Sequence, residues 1–317
     1  MLLLDFINVG YGDSNLVREL HGTAAIYTML IDCGDTEDAA HYERGRIRTC
    51  DYLQSVGVRE LDTVVITHLH KDHVGGLAQV AANFPIRRVV SNYFPPEGAH
   101  KPASPEADGR SGSKALVQAA TVFSEALGQM KRSDTEFVLL CDGTGTMHLT
   151  DALTLDFTQG WKDRSGFQKE VLDALYLDTK ASGQALETLD GLINNLSIVS
   201  LLRYGVHRIL LPGDVYLSFW KDRPIPQNCN IMKLPHHGHR DAFSRELFQK
   251  VDPHYVITCV SNERTDDCPS RALSEAAHGR NLLFTDAVRF GKEAHVPPRV
   301  ALHLELPPQE APHISII

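Results

Sequence analysis

The stretch VVITHLHKDHVGGL, residues 64–77, decides how this chain is read. Val64, Val65 and Ile66 make a short apolar, β-branched run of the kind that forms a buried strand. His68, His70, Asp72 and His73 follow directly, and the paired glycines Gly75 and Gly76 come next. Imidazole and carboxylate are the groups that hold zinc, manganese or iron. Four of them so close together cannot all reach one ion without strain. In extended chain His68 and His70 share a face, whereas Asp72 and His73 lie past the strand end, where a turn redirects them. Two neighbouring ions, one on His68 and His70 and one on Asp72 and His73, use all four. The bland alternative is a chance cluster on a solvated loop. Its position between a buried strand and a helix start argues against that.

Outward from this motif, the composition is that of a globular protein with a sizeable core: 317 residues, 43% hydrophobic and 22% charged. The net charge of −9 gives no whole-molecule attraction to nucleic acid or anionic membrane. A polyanionic substrate would need a local basic surface, for which the run Arg44, Arg46, Arg48 and the single Arg240 are candidates. An ordinary solvated face is the simpler account of both. The six cysteines lack paired spacing, and several sit inside apolar strands, as reduced buried thiols do. The opening MLLLDFINVG has no basic leader and is interrupted by Asp5, so it reads as a first strand. No apolar run reaches membrane-spanning length. The expected location is the cytoplasm, without a membrane partner.

Strand patterns recur at 2–9, 15–20, 24–32, 87–92, 136–141, 145–149 and 153–158. They continue in LSIVSLLRYG, HRILLPGD, NIMKLPHHGHR, YVITCV and VALHLEL. Helical spacing is expected over 40–56, 74–83, 114–130, 183–193 and 270–279. The two halves each place metal-binding residue types at strand ends. The expected fold class is therefore α/β: two mixed β-sheets packed face to face and flanked by helices, with the site at one edge. One domain spans 1–317, with loop insertions near 93–113, rich in Pro, Gly and Ser, and near 159–193.

The pattern HxHxDH resembles the signature of the metallo-β-lactamase superfamily, matched by His68, His70, Asp72 and His73. The order INVGYGD, HxHxDH, NNLS, LLPGD and PHHG is similar to the metallo-β-lactamase-type domain of competence (ComEC-like) DNA-uptake proteins. The resemblance implies an αββα sandwich and two divalent ions, Zn2+ or Mn2+. It implies that Asp32 orients a ligand histidine and that Asp214 bridges the ions with its two oxygens, where the residues alone would favour a helix cap. Asn194 takes the place of a usual histidine ligand beside His68 and His70. His236 completes the site of Asp72 and His73, with His237 left for catalysis or substrate. Asp72 also steers the attacking water, and His237 or His239 protonates a leaving group. His239, Arg240 and Asn195 are the candidate substrate contacts.

Paired divalent ions lower the pKa of a bridging water and clamp the oxygens of a phosphoryl centre. The expected activity is phosphodiester hydrolysis, with single-stranded nucleic acid or a nucleotide as substrate. The same fold hydrolyses lactones and thioesters. A phosphorylcholine esterase would add an aromatic cage, and a metal-binding scaffold would do no chemistry.

Overall fold

The computed structural model describes residues 1–40, 45–100, 102, 111–130, 134–140, 143–158, 162–177, 182–261, 267–288 and 299–317. The chain opens with an antiparallel meander, β1 (Leu2–Ile7), β2 (Asn15–His21) and β3 (Ala24–Ile31). It continues through α1 (Thr49–Ser55), β4 (Thr63–Ile66), α2 (Lys71–Val74), α3 (Leu77–Asn83), β5 (Arg88–Ser91), α4 (Ser111–Met130) and β6 (Glu136–Leu139). Strands β3 to β6 run parallel. The second half holds β7 (Thr144–His148), β8 (Leu153–Thr158), α5 (Lys162–Tyr176), α6 (Gly183–Ile193), β9 (Val199–Tyr204) and β10 (His207–Leu211). Then come β11 (Ile231–Lys233), α7 (Arg245–Val251), β12 (Tyr255–Thr258), α8 (Leu273–Ala276) and β13 (Asn281–Phe284). Finally β14 (Ala301–Leu306) and β15 (His313–Ile316) return to the first sheet.

Among the described residues these strands form an eight-stranded sheet, β15-β14-β1-β2-β3-β4-β5-β6, and a seven-stranded one, β13-β12-β11-β10-β9-β8-β7. Leu4, Phe6, Val17 and Val65 of the first sheet meet Leu202, Ile209, Ile231 and Ile257 of the second in a solvent-free layer. Helices α3 to α6 cover the outside of the first sheet through residues such as Leu77, Phe123, Leu172 and Leu189. Helices α7 and α8 cover the second through Phe248 and Leu273. Each such side chain contributes about 1.5–3 kcal/mol of burial, set against the entropy of ordering it. The result is the expected layered sandwich. No helix of the described residues is long and apolar enough to cross a membrane.

Three local expectations change. The segment 159–193, expected as an insertion with a helix over 183–193, carries in its described part the unexpected helix α5 ahead of the expected α6. Gln168, Val171, Leu172, Leu175 and Tyr176 are buried, a helical spacing that is legible in the sequence once looked for. Of the helix expected over 40–56, the described residues carry Thr49–Ser55 and a 3-10 turn at Asp38–Ala40, and residues 41–44 lie outside the described residues. Gly45, ahead of the helix, takes φ +81° with its backbone against Arg299, where a Cβ would come within 2.6 Å of the amide nitrogen. Of the segment 93–113, residues 101 and 103–110 lie outside the described residues, and α4 already begins at Ser111.

The fold brings functional residues together by ending its parallel strands on one edge. The ends of β3, β4, β10, β11 and β12 lead into Asp32, His68, Asp214, the Pro235–Gly238 turn and Cys259. Helix α2 is pinned to the loop after β3, with Cys33 N donating to His73 O at 2.7 Å and Gly76 N to Gly34 O at 2.9 Å. A Cβ on Gly76 would sit 2.2 Å from the Cys33 carbonyl oxygen. The second glycine of the motif is there for close approach, at an ordinary helical φ.

Candidate metal centre

Four donor atoms converge at this edge. His237 Nε2 lies 3.0 Å from Asp214 Oδ2 and 3.1 Å from Asp72 Oδ2. His73 Nε2 lies 3.1 Å from Asp214 Oδ2 and 3.7 Å from Asp72 Oδ2. Asp72, His73, Asp214 and His237 thus offer ligand atoms all within 4.8 Å of one another. His73, Asp214 and His237 are buried, and Asp72 opens towards solvent.

Both histidines are held from behind. His73 Nδ1 donates to Asp32 Oδ2 at 2.8 Å, and Asp32 also accepts from Thr67 N at 2.8 Å and Thr67 Oγ1 at 2.7 Å. Asp32 adopts φ +60°, a left-handed conformation that Asp tolerates better than most residues. His237 Nδ1 donates to the Cys259 carbonyl at 3.0 Å. With Nδ1 occupied in each ring, Nε2 is the atom turned to the cluster.

The other pair of the motif stands alongside. His68 Nε2 is 3.2 Å from His70 Nδ1, and the His68 ring centroid is 4.1 Å from that of His73. The Thr67 hydroxyl already gives its hydrogen to Asp32, so His68 Nδ1–H is the donor in the 3.1 Å contact between them. That leaves His68 Nε2 with a lone pair facing His70. On the far side of the His70 ring, Nε2 lies 3.3 Å from Asp190 Oδ1 of α6. One turn on, Asn194 donates to the Tyr216 hydroxyl at 2.9 Å, while its Oδ1 is buried without a hydrogen-bond partner.

Electrostatics sort these groups. Burial, with His73 and His70 close by, holds His68 well below the usual imidazole range, so it stays neutral. Burial would lower His237 too, but Asp214, Asp72 and Asp13 outweigh it and bring it to about 9. His73 is likewise held high against its burial by Asp214, Asp72 and Asp32. Asp214 is pulled well below the carboxylate range against its own burial by His237, His73 and Lys233. These are ligands whose protons a divalent cation would displace. Two carboxylate oxygens and two imidazole nitrogens with their second nitrogens anchored, beside a neutral histidine pair, fit such a cation well.

Several expected roles move. His237, not His236, enters the cluster. His236 and His237 both take left-handed φ values, 46° and 49°, which turns the second ring of the pair inward. His236 instead turns to Asp241, with Nδ1 2.9 Å from Oδ1. Asp214 does not offer both oxygens, because Oδ1 faces Lys233 Nζ at 3.3 Å and only Oδ2 faces the cluster. Asn195 does not face a substrate. Its amide donates to Ser218 Oγ and accepts from Tyr216 N, tying down the loop after β10. Arg240 is exposed and bound to its own turn through the Phe243 carbonyl. The described part of the basic run makes no open basic surface either. Arg46 is buried against Asp286 and Ser261, Arg48 reaches the Thr36 carbonyl, and Arg44 lies outside the described residues. His239 stands at the rim, its Nε2 3.1 Å from the Tyr11 hydroxyl. The five described cysteines are buried, and Cys141 lies outside the described residues.

Residues the sequence reading passed over are Asp13, Asp190 and Lys233. Asp13 stands in the quoted INVGYGD stretch, and Lys233 is a lone charge inside the apolar run NIMKLP, so both left a trace. Asp190 sits in a helix with nothing to mark it.

The Metallo-beta-lactamase superfamily model matches residues 7–150, which include the whole HxHxDH motif. The chain has the metallo-β-lactamase fold. It is 22% identical over 297 residues to ComE operon protein 3 of Bacillus subtilis (strain 168), covering 89% of this chain and 32% of that protein. It is 43% identical over 77 residues to the anti-Pycsar protein Apyc1 of Paenibacillus sp. (strain J14), covering 23% of this chain and 27% of that one. These matches span less than a third of either relative. Among solved structures, the metallo-β-lactamase-fold protein YhfI of Bacillus subtilis is 11% identical, with 90% of this chain and 97% of that chain covered at a TM-score of 0.49.

Proposed function

We propose that this protein is a metal-dependent phosphodiesterase acting on a nucleotide or a short flexible single strand. The carrying observation is the four-donor cluster with one solvent-facing carboxylate, Asp72, flanked by half-buried rings. Tyr11 stacks at a tilt on His237 with centroids 4.3 Å apart, His236 stacks on His239 at 4.4 Å, and Tyr216 meets His236 edge-on at 5.1 Å. Rings of this kind suit a planar base better than a long phosphate backbone, and the net charge of −9 favours a small substrate in the same way. The short matches with anti-Pycsar proteins support including cyclic nucleotides among the candidates.

In this reading Asp72, His73, Asp214 and His237 hold one divalent ion, Zn2+ or Mn2+. His68 and His70 hold a second, with Asn194 Oδ1 as a further ligand. Bound there, such ions supply Lewis acidity, making water acidic near neutrality and drawing charge from phosphoryl oxygens. The chain does the rest. Asp32 and the Cys259 carbonyl keep the proton of each ring on Nδ1. Asp72, at the open side, also orients the incoming water. His239, hydrogen-bonded to Tyr11, is the proton donor we assign to the leaving oxygen.

The test is to incubate metal-loaded protein with cyclic and linear nucleotides, single-stranded DNA, RNA, duplex DNA, a lactone and a thioester, using Asp72→Ala as control. Cleavage of a nucleotide with little salt dependence is expected. A steep fall of affinity with salt would point to a longer strand. Turnover of the lactone or thioester alone would overturn the phosphodiesterase reading.

A further inference from the structure

Lys233 ends β11 with its side chain only 1% exposed. Its ammonium forms an ion pair with Asp13 Oδ2, lies 3.3 Å from Asp214 Oδ1 and donates to the Gly213 carbonyl at 3.2 Å. Three hydrogens meet three acceptors, so no donor remains for substrate. Both carboxylates are as buried as the lysine, 1% and 2% exposed. Asp13 in turn joins the motif, its backbone amide donating to the Asp72 carbonyl at 3.1 Å and its carbonyl accepting from Gly34 N at 2.8 Å. One ammonium therefore links the β1–β2 turn, the end of β10 and the segment that carries His237.

We infer that Lys233 is a resident cation of the centre, a positioning residue that compensates Asp13 and Asp214 and leaves Asp214 one oxygen, Oδ2, for a divalent ion. The inference rests on reading the cluster as a metal site. Asp13, Asp32, Asp72 and Asp214 crowd one region, with the rings of His73 and His237 between them. A buried carboxylate without a partner is costly. When no divalent ion is present, the inner pair Asp13 and Asp214 depends on Lys233 alone among the lysines and arginines that contact them in the described residues. When an ion is bound, Lys233 prevents Asp214 from turning its second oxygen outward.

The experiment compares wild type with Lys233→Met, which keeps the length and apolar stem but not the charge. Melting temperature is measured for metal-loaded and chelator-stripped protein. Metal content and the visible spectrum of the Co2+-substituted form are recorded beside it. In Lys233→Met the gap between loaded and stripped melting temperatures should widen by roughly 5 °C or more. The Co2+ spectrum should shift as the carboxylate coordination changes. Adding Asp13→Asn in the Lys233→Met background should recover part of the stripped protein's stability, because it removes the carboxylate left unpaired. An equal loss in loaded and stripped forms, with an unchanged Co2+ spectrum, would overturn the inference and make Lys233 a packing residue. If Lys233→Met yields no folded protein, the double variant decides: failure to fold even with metal present counts against the charge argument. Wild type that takes up no metal would overturn the metal reading together with this one. Metal uptake by wild type together with an unchanged gap in Lys233→Met would overturn this one only.

Discussion

Asp32→Asn isolates the role of a single proton. Asp32 Oδ1 accepts from Thr67 N, and Oδ2 accepts from both Thr67 Oγ1 and His73 Nδ1. Asn has the same size and also tolerates the left-handed backbone at φ +60°, so the fold meets no new strain. It brings, however, one acceptor and two new donors where two acceptors stood. If its oxygen faces Thr67 N, its amide meets His73 Nδ1 and drives the proton to Nε2, the atom 3.1 Å from Asp214. That nitrogen then has no lone pair for an ion. Loss of a partner that orients a ligand histidine costs about 10–100-fold in metal affinity, or about 1.4–2.7 kcal/mol. If the amide turns the other way, two buried donors face each other at Thr67, and stability falls by about 1–3 kcal/mol instead. Competition with a chelator of known affinity reads the first outcome, and thermal melting of stripped protein reads the second. A variant with wild-type metal affinity and wild-type stability would refute the tautomer argument.

Two further outcomes follow from the same geometry. His237→Ala should lower metal content, with a loss of affinity beyond the about 10–100-fold of an orienting partner, whereas His236→Ala should leave metal content unchanged. Equal losses from both, by elemental analysis after dialysis, would contradict the assignment of His237 to the cluster. Away from the centre, His303 Nδ1 is hydrogen-bonded to the buried Asp5, which raises its pKa, with Arg18 and Glu305 the other charges facing it. A histidine with a raised folded pKa contributes stability that is complete below its unfolded value of about 6.5 and fades as pH rises through the folded value. His303→Ala should therefore destabilise more at pH 5.5 than at pH 9 in denaturant titrations, and a pH-independent difference would sink that account.

The sequence by itself determined the strand-to-turn motif at 64–77, the two-sheet architecture and the residue types of the centre. These rest on local pattern: an apolar strand of period two, an abrupt run of ligands and a pair of glycines where backbone must approach backbone. For Asp32 the residues left a cap or a site group open, the resemblance implied that it orients a ligand histidine, and the structure gave His73 as that histidine. Only the tertiary structure decided which histidine of the His236–His237 pair turns inward, because both residues adopt left-handed backbone in a turn packed through Gly238 against Pro269 and Leu234. It alone showed that Asp214 divides its oxygens between Lys233 and the cluster, and that Asp190 backs His70. It also buried Arg46, the middle of the arginine run that the sequence offered as a surface. Each of these depends on atoms brought together from positions far apart in the chain, as Asp13 and Lys233 are. No spacing within a strand or a turn encodes which oxygen, or which of two adjacent rings, faces such a meeting point; the packing of the two sheets does.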